Sequence, residues 1–195
     1  MAEIGVIILA GGEAKRLPNK LFLDAGDLPL LVRVYRNVSP GRETLISCKS
    51  TLPYEIDALI DAPEVVDRWP LRGPLSGLLS TMGEMRAPWA FAVAGDAPFV
   101  DAALIAKLEA QMQPGDEAIV PRRRHNGGWQ IEPLAALYLR SAFVREGLPL
   151  LSGGTNSMHA VIERLNTRFV DVEEENIFAN VNTPDEYAAF RSTIA

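Results

Sequence analysis

Short apolar runs alternate with amphipathic stretches along this chain, and this alternation limits most strongly the folds that the chain can adopt. The runs are rich in β-branched and other apolar residues, which is typical of strands that are covered on both faces. The predicted strands are Ile4–Leu9, 44–47, Glu64–Val66, 91–93, 118–120 and 169–172.

Helical spacing of apolar residues appears between these runs, at 30–37, 75–85 and 104–112, and Asp101 is suited to cap the last of these helices. Alternation of strands and helices implies a mostly parallel sheet with helices on both sides, joined by right-handed crossovers. We therefore predict an α/β fold, a three-layer α/β/α sandwich with a Rossmann-like, mostly parallel sheet.

The alternation breaks after Val120. Residues 122–129 are predicted to form a polar, glycine-containing loop, and 130–138 to be an extended, antiparallel excursion over the strand ends. A helix near 156–165 and a strand should follow. The final helix is predicted to begin at Thr183, where Thr-Pro-Asp-Glu supplies an N-cap, a proline at the first position and a glutamate at the third.

Length and charge restrict the function. A chain of 195 residues is expected to form one domain, 1–195. Its net charge of −6 argues against a protein that grips a nucleic-acid backbone, which needs a large basic surface, but small anionic ligands remain compatible. The apolar run 4–10 lacks a basic start and is too short to cross a bilayer, so we expect no signal peptide and no membrane partner.

Cysteine and histidine are scarce. The single cysteine, Cys48, cannot form an internal disulfide, and with His125 and His159 it does not give the spacing of a zinc site. These features suit a reducing compartment, and we expect a soluble, cytoplasmic protein.

A glycine pair follows the first predicted strand, in the segment Leu9-Ala10-Gly11-Gly12. Ligands of parallel sheets bind beyond the carboxyl ends of the strands, where glycines let backbone N–H groups approach a polyphosphate. Arg16 and Lys20 would add positive charge to this cradle. The segment is neither G-x-G-x-x-G nor a P-loop, since Leu21 follows Lys20. The alternative is an ordinary strand-to-helix turn with solvated lysines.

Two further segments lie at predicted strand ends. Asp96 follows the strand 91–93, at the edge of the sheet where Mg²⁺ can bridge its carboxylate to triphosphate oxygens; alternatively, Asp96 only opens a turn before Pro98. Gly73 and Pro74 precede a helix that opens at Leu75, and free N–H groups there would seat a ribose or a base edge. In the alternative reading, this helix start needs glycine for packing.

Five segments together resemble the nucleotidyltransferases that activate sugars, polyols and the molybdenum cofactor, and among them the molybdenum cofactor guanylyltransferases. They occur in the family's order and extend over nearly the whole chain. The segments are Leu9-Ala10-Gly11-Gly12 with its following lysine, Gly73-Pro74-Leu75-Ser76-Gly77, Gly95-Asp96-Ala97-Pro98, Pro133-Leu134-Ala135-Ala136-Leu137-Tyr138 and Phe178-Ala179-Asn180-Val181-Asn182-Thr183-Pro184.

The resemblance implies a fold of the nucleotide-diphospho-sugar transferase type, and an enzyme that transfers GMP from GTP to molybdopterin with Mg²⁺ as cofactor. It also implies possible contact with other proteins that handle the molybdenum cofactor. The implied catalytic residues are Lys20, Asp96 and Arg16, and the implied metal ligands are Asp96 and Asn182. The implied nucleotide site consists of Leu9, Ala10, Gly11, Gly12, Lys20, Asp67, Gly73, Pro74 and Leu75. The implied acceptor site consists of Asn180, Asn182, Arg122 and Arg124.

Several alternatives stay open at the level of the sequence. Asp61 rivals Asp67 as the aspartate that faces the nucleotide, and Asn182 could instead cap the last helix. The run 122–124 of arginines could simply be solvated. Lys49, which aligns with a family asparagine, and Lys107 are expected to be surface residues.

The activity has rivals as well. A cytidylyltransferase acting on the same cofactor, a sugar-phosphate nucleotidyltransferase and a non-catalytic nucleotide-binding protein of the same fold remain alternatives.

Overall fold

In the part of the chain that the structure describes, eight strands form one mixed sheet. A computed structural model describes residues 2–11, 16–69, 73–125 and 127–194. The strands are β1 (Ile4–Leu9), β2 (Thr44–Cys48), β3 (Glu64–Val66), β4 (Trp89–Ala94), β5 (Ala118–His125), β6 (Gly128–Ile131), β7 (Ala135–Leu139) and β8 (Thr167–Asp171). The helices are α1 (Leu30–Val38), α2 (Tyr54–Asp57), α3 (Pro74–Met82), α4 (Ala102–Glu109), α5 (Arg140–Ser152), α6 (Met158–Ile162) and α7 (Pro184–Ile194), with 3₁₀ turns at Lys20–Phe22 and Glu175–Phe178.

The order of strands in the sheet is β3-β2-β1-β4-β7-β5-β6, and β8 pairs with β5. Strand β7 is antiparallel to both β4 and β5, so β5 runs parallel to β4 and its carboxyl end lies at the same edge of the sheet. The pairs β1–β2, β1–β4, β2–β3 and β5–β8 are parallel. The predicted α/β sandwich with a mostly parallel sheet is therefore confirmed.

Two apolar cores lie on opposite faces of the sheet. One contains Val6 and Phe91 from the sheet with Leu31 and Leu104 from helices α1 and α4. The other is built around helices α3, α5 and α6, and the fully buried Leu75 belongs to it. Alternate residues of β1 enter different cores because successive side chains of a strand point to opposite faces.

The structure corrects one sequence-based prediction and adds a helix that the sequence analysis did not include. Residues 122–129 are not a loop, because β5 continues to His125 and forms an antiparallel hairpin with β6. Helix α5 was not predicted, since Pro149 lies inside it and proline removes a backbone donor from a helix. Its Gly147 permits close packing, because a Cβ there would lie 3.1 Å from Leu79 Cδ2 and 3.2 Å from Leu75 Cδ1.

Both helix caps read from the sequence are confirmed. The Asp101 side chain accepts from Ala103 N–H and Leu104 N–H at the start of α4. At α7, Thr183 Oγ1 accepts from Glu186 N–H at 3.2 Å, while Glu186 Oε2 accepts from Thr183 N–H at 3.0 Å. This reciprocal pattern is a capping box. In the described ranges, every helix is too short or too polar to cross a membrane.

Gly77 sets the distance between α3 and the sheet. A Cβ at this position would lie 2.7 Å from Ser47 Oγ and 3.1 Å from Leu9 Cδ2. We expect Gly77→Ala to lower the free energy of unfolding by about 1–3 kcal/mol, because the helix must move away from β1 and β2. Urea denaturation measures the loss. Gly83→Ala at the end of the same helix is the control, since its nearest contact would be 3.4 Å from Ser80 O, and an equal loss there would contradict the argument.

Candidate active site

A cavity of about 440 Å³ opens at the carboxyl edge of the sheet, on the side of helix α3. Strands β1, β2 and β4 end at it, as expected for a ligand site in a parallel sheet. Its lining residues are Leu9, Gly11, Lys20, Leu21, Ser47, Cys48, Lys49, Asp67, Gly73, Pro74, Gly77, Ala94, Asp96 and Leu134.

Lys20, Asp96 and Asn182 meet at this cavity. Lys20 Nζ donates to Asn182 Oδ1 at 2.7 Å and forms a hydrogen-bonded ion pair with Asp96 Oδ2. The side chains of Lys20 and Asp96 are only 11% and 14% exposed. The side-chain oxygens of Asp96 and Asn182 therefore converge on the ammonium group of Lys20 in a largely buried position.

Backbone contacts hold the three residues in position. Gly95 N–H donates to Leu9 O at 3.0 Å, which brings Asp96 to the end of β1. Val181 N–H donates to Asp96 O at 3.0 Å, and this bond carries Asn182 to the same edge. On the other side, Asn19 adopts a left-handed conformation with φ 56°, directly before the 3₁₀ turn that begins at Lys20.

The alternative role of Asn182 as a helix cap is wrong. Thr183 and Glu186 cap helix α7, and the Asn182 side chain is directed to Lys20 instead. The alternative in which Asp96 only opens a turn is also incomplete, because the carboxylate of Asp96 forms an ion pair with Lys20.

Asp67 lines the cavity and is bound to the first turns of α3. Its Oδ2 accepts from Ser76 Oγ at 2.7 Å, and its Oδ1 accepts from Ser80 Oγ at 2.9 Å and from Trp69 N–H at 3.1 Å. Its rival Asp61 does not line the cavity. A carboxylate has about four acceptor sites, so Asp67 keeps capacity for one further donor.

Helix α3 begins at Pro74, with Gly73 as its N-cap residue. Gly73 and Pro74 line the cavity, while the side chain of Leu75 is fully buried in the core. Leu75 can therefore contribute only its backbone N–H to a ligand. That N–H and the one of Ser76 lie in the first turn, where a helix leaves donors without an intrahelical acceptor.

Only part of the glycine segment 9–12 lines the cavity. Leu9 and Gly11 line the cavity, and Ala10 N–H donates to Ser47 O at 2.7 Å, which ties the segment to β2. Gly12 lies outside the described residues. Arg16 is exposed and is not among the lining residues of the cavity.

None of the predicted acceptor residues is among the lining residues of the cavity, and Asn182 is linked to the lining through its hydrogen bond from Lys20. Asn180 is exposed. Arg122 donates through Nε to Asp171 Oδ1 at 2.7 Å, and the guanidinium groups of Arg122 and Arg124 both lie over the ring of Trp129. The arginine run is thus more ordered than a simply solvated surface.

The sequence analysis overlooked the contribution of β2. Ser47, Cys48 and Lys49 all line the cavity, and the expectation that Lys49 is a surface residue is wrong. The position of these residues at the end of a predicted strand was the signal that could have identified them. Burial raises the pKa of the Cys48 thiol to about 11, and the nearby Glu64 carboxylate adds to the rise, so this thiol stays protonated.

Comparisons with known proteins identify the family of the chain. A family model described as a MobA-like NTP transferase domain matches residues 6–168. The chain is 33% identical over 194 residues to a Burkholderia ambifaria protein named molybdenum cofactor guanylyltransferase, and the match covers 94% of this chain and 93% of that protein.

Solved structures agree on the fold. The structure of molybdopterin-guanine dinucleotide biosynthesis protein A from Archaeoglobus fulgidus matches with a TM-score of 0.81 and 24% identity over 97% of each chain. That of 2-C-methyl-D-erythritol 4-phosphate cytidylyltransferase from Thermus thermophilus matches with a TM-score of 0.76 and 16% identity over 98% of each chain. The sandwich described above is thus a nucleotidyltransferase fold.

Proposed function

The chain belongs to the family of MobA-like NTP transferase domains, and we propose that it transfers GMP from GTP to the molybdenum cofactor. The products are molybdopterin guanine dinucleotide and pyrophosphate. The observation that carries this proposal is the 33% identity to a molybdenum cofactor guanylyltransferase over nearly the full length of both chains. The cluster of Lys20, Asp96 and Asn182 at the cavity supports it with suitable chemistry.

In this reaction, an oxygen of the terminal phosphate of molybdopterin forms a bond to the α-phosphorus of GTP. The bond from that phosphorus to the oxygen bridging the β-phosphorus breaks, and pyrophosphate leaves with the electron pair. The protein supplies no nucleophile. Its contribution is to position two anionic substrates and to neutralise the charge on the phosphoryl oxygens.

The triphosphate would lie between the end of β1 and Lys20. Gly11 offers a backbone surface without a side chain, and we propose that Gly12 and Arg16 extend this cradle. Lys20 would exchange its contacts with Asp96 and Asn182 for phosphate oxygens. Such an exchange costs little, because one set of charge-assisted hydrogen bonds replaces another.

Asp96 and Asn182 would hold Mg²⁺. Their oxygens are hard donors of the kind that Mg²⁺ selects, and they already converge on a cation, the ammonium group of Lys20. Among the described residues, no group of three His, Cys, Asp or Glu side chains could hold a metal by itself. This suits Mg²⁺, which is usually bound by one or two carboxylates together with substrate phosphates. When bound, Mg²⁺ neutralises developing charge on the phosphate oxygens.

The guanine base would lie against the start of α3. Guanine offers a carbonyl acceptor and N–H donors, which complement the backbone N–H of Leu75 or Ser76 and the remaining acceptor site of Asp67. Adenine lacks the carbonyl acceptor. Because Ser76, Ser80 and Trp69 hold Asp67 in place, its carboxylate would be preorganised for this contact.

The acceptor would approach from the side of Asn182, and we propose that Asn180, Arg122 and Arg124 contribute to its binding. The chain would act as one domain in the cytoplasm, which suits its free, buried Cys48 thiol. Proteins that handle the molybdenum cofactor are proposed partners for delivery of the acceptor and receipt of the product.

Pyrophosphate release with molybdopterin and each of the four nucleoside triphosphates tests the function. We expect GTP to give the highest kcat/KM and the tightest binding. Each buried group left unpaired by the wrong base should cost about 1–3 kcal/mol. A preference for CTP would identify a cytidylyltransferase instead. Binding of GTP without any pyrophosphate release would indicate a non-catalytic binding protein.

A further inference from the structure

An ordered group of planar side chains lies on the β5–β6 hairpin, outside the cavity. The guanidinium carbon of Arg124 is 4.0 Å from the centroid of the Trp129 ring, and that of Arg122 is 4.2 Å away. Arg122 also lies 5.8 Å from the centroid of Phe169 on β8. We call these four residues the hairpin cluster. Trp129 and Phe169 remain 42% and 41% exposed, and Arg122 lies near both rings.

The hairpin cluster lies at the same edge of the sheet as the cavity. Strand β5 is parallel to β4, and its last residues pair with β6 and not with β7. Residues 122–125 of β5 therefore extend towards the same edge of the sheet at which β4 ends and Asp96 follows.

The hairpin cluster also lies on the same face of the sheet as helix α3. Successive side chains of β5 point to opposite faces of the sheet. Val120 points into the core around α3, and Arg122 and Arg124 lie on the same face because they follow it by two and four residues. Ile119 points into the core on the other face. Leu134 packs against that core and lines the cavity. Trp129 precedes Leu134 by five residues, so their Cα atoms are at most about 18 Å apart.

The chemistry of the hairpin cluster is suited to a flat ring. A guanidinium group that lies over an indole has a second planar face, on which another aromatic ring can stack. Arg122 is neutralised by Asp171, whereas no acidic side chain in the described part of the chain pairs with Arg124. Arg124 therefore combines an accessible planar face with free hydrogen-bond donors for carbonyl or ring-nitrogen acceptors.

We propose that the hairpin cluster binds the planar heteroaromatic ring system of the acceptor, with Arg124 stacked between that ring and Trp129. The terminal phosphate of the same molecule would then reach the side of Asn182, next to the cavity. This inference rests on the proposed function, in which the acceptor is molybdopterin. It assigns to Trp129 and Phe169 a role in acceptor binding and none in binding of GTP.

Steady-state kinetics with GTP and molybdopterin test the proposal. Trp129→Ala and Arg124→Ala should each raise the KM for molybdopterin about tenfold, while kcat and the KM for GTP change less than about twofold. Trp129→Phe should keep most of the acceptor affinity, since it preserves a ring. Arg124→Lys should not restore the affinity, because lysine keeps the positive charge but lacks the planar guanidinium group that stacks on a ring.

Arg164→Ala and Tyr54→Ala are matched controls, an exposed arginine and a tyrosine that is 80% exposed. Both should have the parent's KM for molybdopterin. Equal acceptor KM values for Trp129→Ala and the parent, or full recovery in Arg124→Lys, would overturn the stacking. A parent protein that binds GTP and releases no pyrophosphate with molybdopterin would instead refute the proposed function, and the inference with it.

Discussion

Asp96→Asn should reduce kcat by about 10²–10³-fold while the protein stays folded. Asparagine keeps the shape of the side chain and still offers Oδ1 to Lys20, so the local packing is retained. It removes the formal negative charge that would bind Mg²⁺ beside the triphosphate. Loss of one preorganised group that stabilises charge in a transition state typically has an effect of this size. Pyrophosphate release measures kcat, and circular dichroism verifies the fold.

The dependence on Mg²⁺ tests the reason for this loss. If Asp96 binds the metal, the variant should need a higher Mg²⁺ concentration for half-maximal rate, and excess Mg²⁺ should restore part of the activity. Asp27→Asn is the control, because the side chain of Asp27 is 81% exposed and its ion pair with Arg33 is long, at 3.6 Å. A variant Asp96→Asn that turns over GTP at the parent rate would show that the metal lies elsewhere.

Lys20→Ala should weaken binding of GTP much more than binding of GMP. The expected partners of Lys20 are the outer phosphates, and a hydrogen bond to a charged group is worth about 1.5–3 kcal/mol. This corresponds to a rise of roughly 10-fold to 150-fold in the Kd of GTP. Isothermal titration calorimetry with both nucleotides gives the two Kd values. Equal losses for GTP and GMP would assign Lys20 to another part of the ligand.

Lys107→Ala serves as the matched lysine control, since Lys107 pairs with Glu174 on the surface. It should leave both Kd values unchanged. The double variant of Lys20→Ala and Asp96→Asn adds a further check, because residues in direct contact are expected to have non-additive effects. Strictly additive effects on GTP binding would mean that Lys20 and Asp96 act independently, against the exchange of partners proposed here.

Local patterns in the sequence predicted the apolar strands, the glycine segment at the end of β1 and the capping box of α7. Each depends on neighbours within a few residues. Strands such as β1 and β4 are recognisable because both faces are buried and the whole run is apolar. Thr183 and Glu186 bond to each other's backbone N–H groups three residues apart, so this cap is fully encoded in the segment that forms it.

Long-range packing decided the features that the sequence analysis misread. Helix α5 contains Pro149, which by itself opposes a helix, but its apolar side packs on α3 through Gly147. The hairpin of β5 and β6 has a polar composition, and its strands form because each supplies the backbone partners of the other. Propensity is a weak guide in both places, since contacts with distant segments outweigh it.

The candidate site depends on both local sequence patterns and long-range packing. Its residue types follow from motifs, since Lys20 and Asp96 each come soon after an apolar strand. Their meeting does not, because Lys20 and Asn182 are 162 residues apart in the sequence. The backbone bonds of Gly95 and Val181 bring Asp96 and Asn182 to the same edge of the sheet. The attachment of Asp67 to Ser76 and Ser80 and the entry of Lys49 into the cavity depend in the same way on how β2, β3 and α3 pack. Sequence determined which chemical groups stand at the strand ends, and only tertiary packing decided which of them face one another, because side-chain distances across a sheet are fixed by strand order and register.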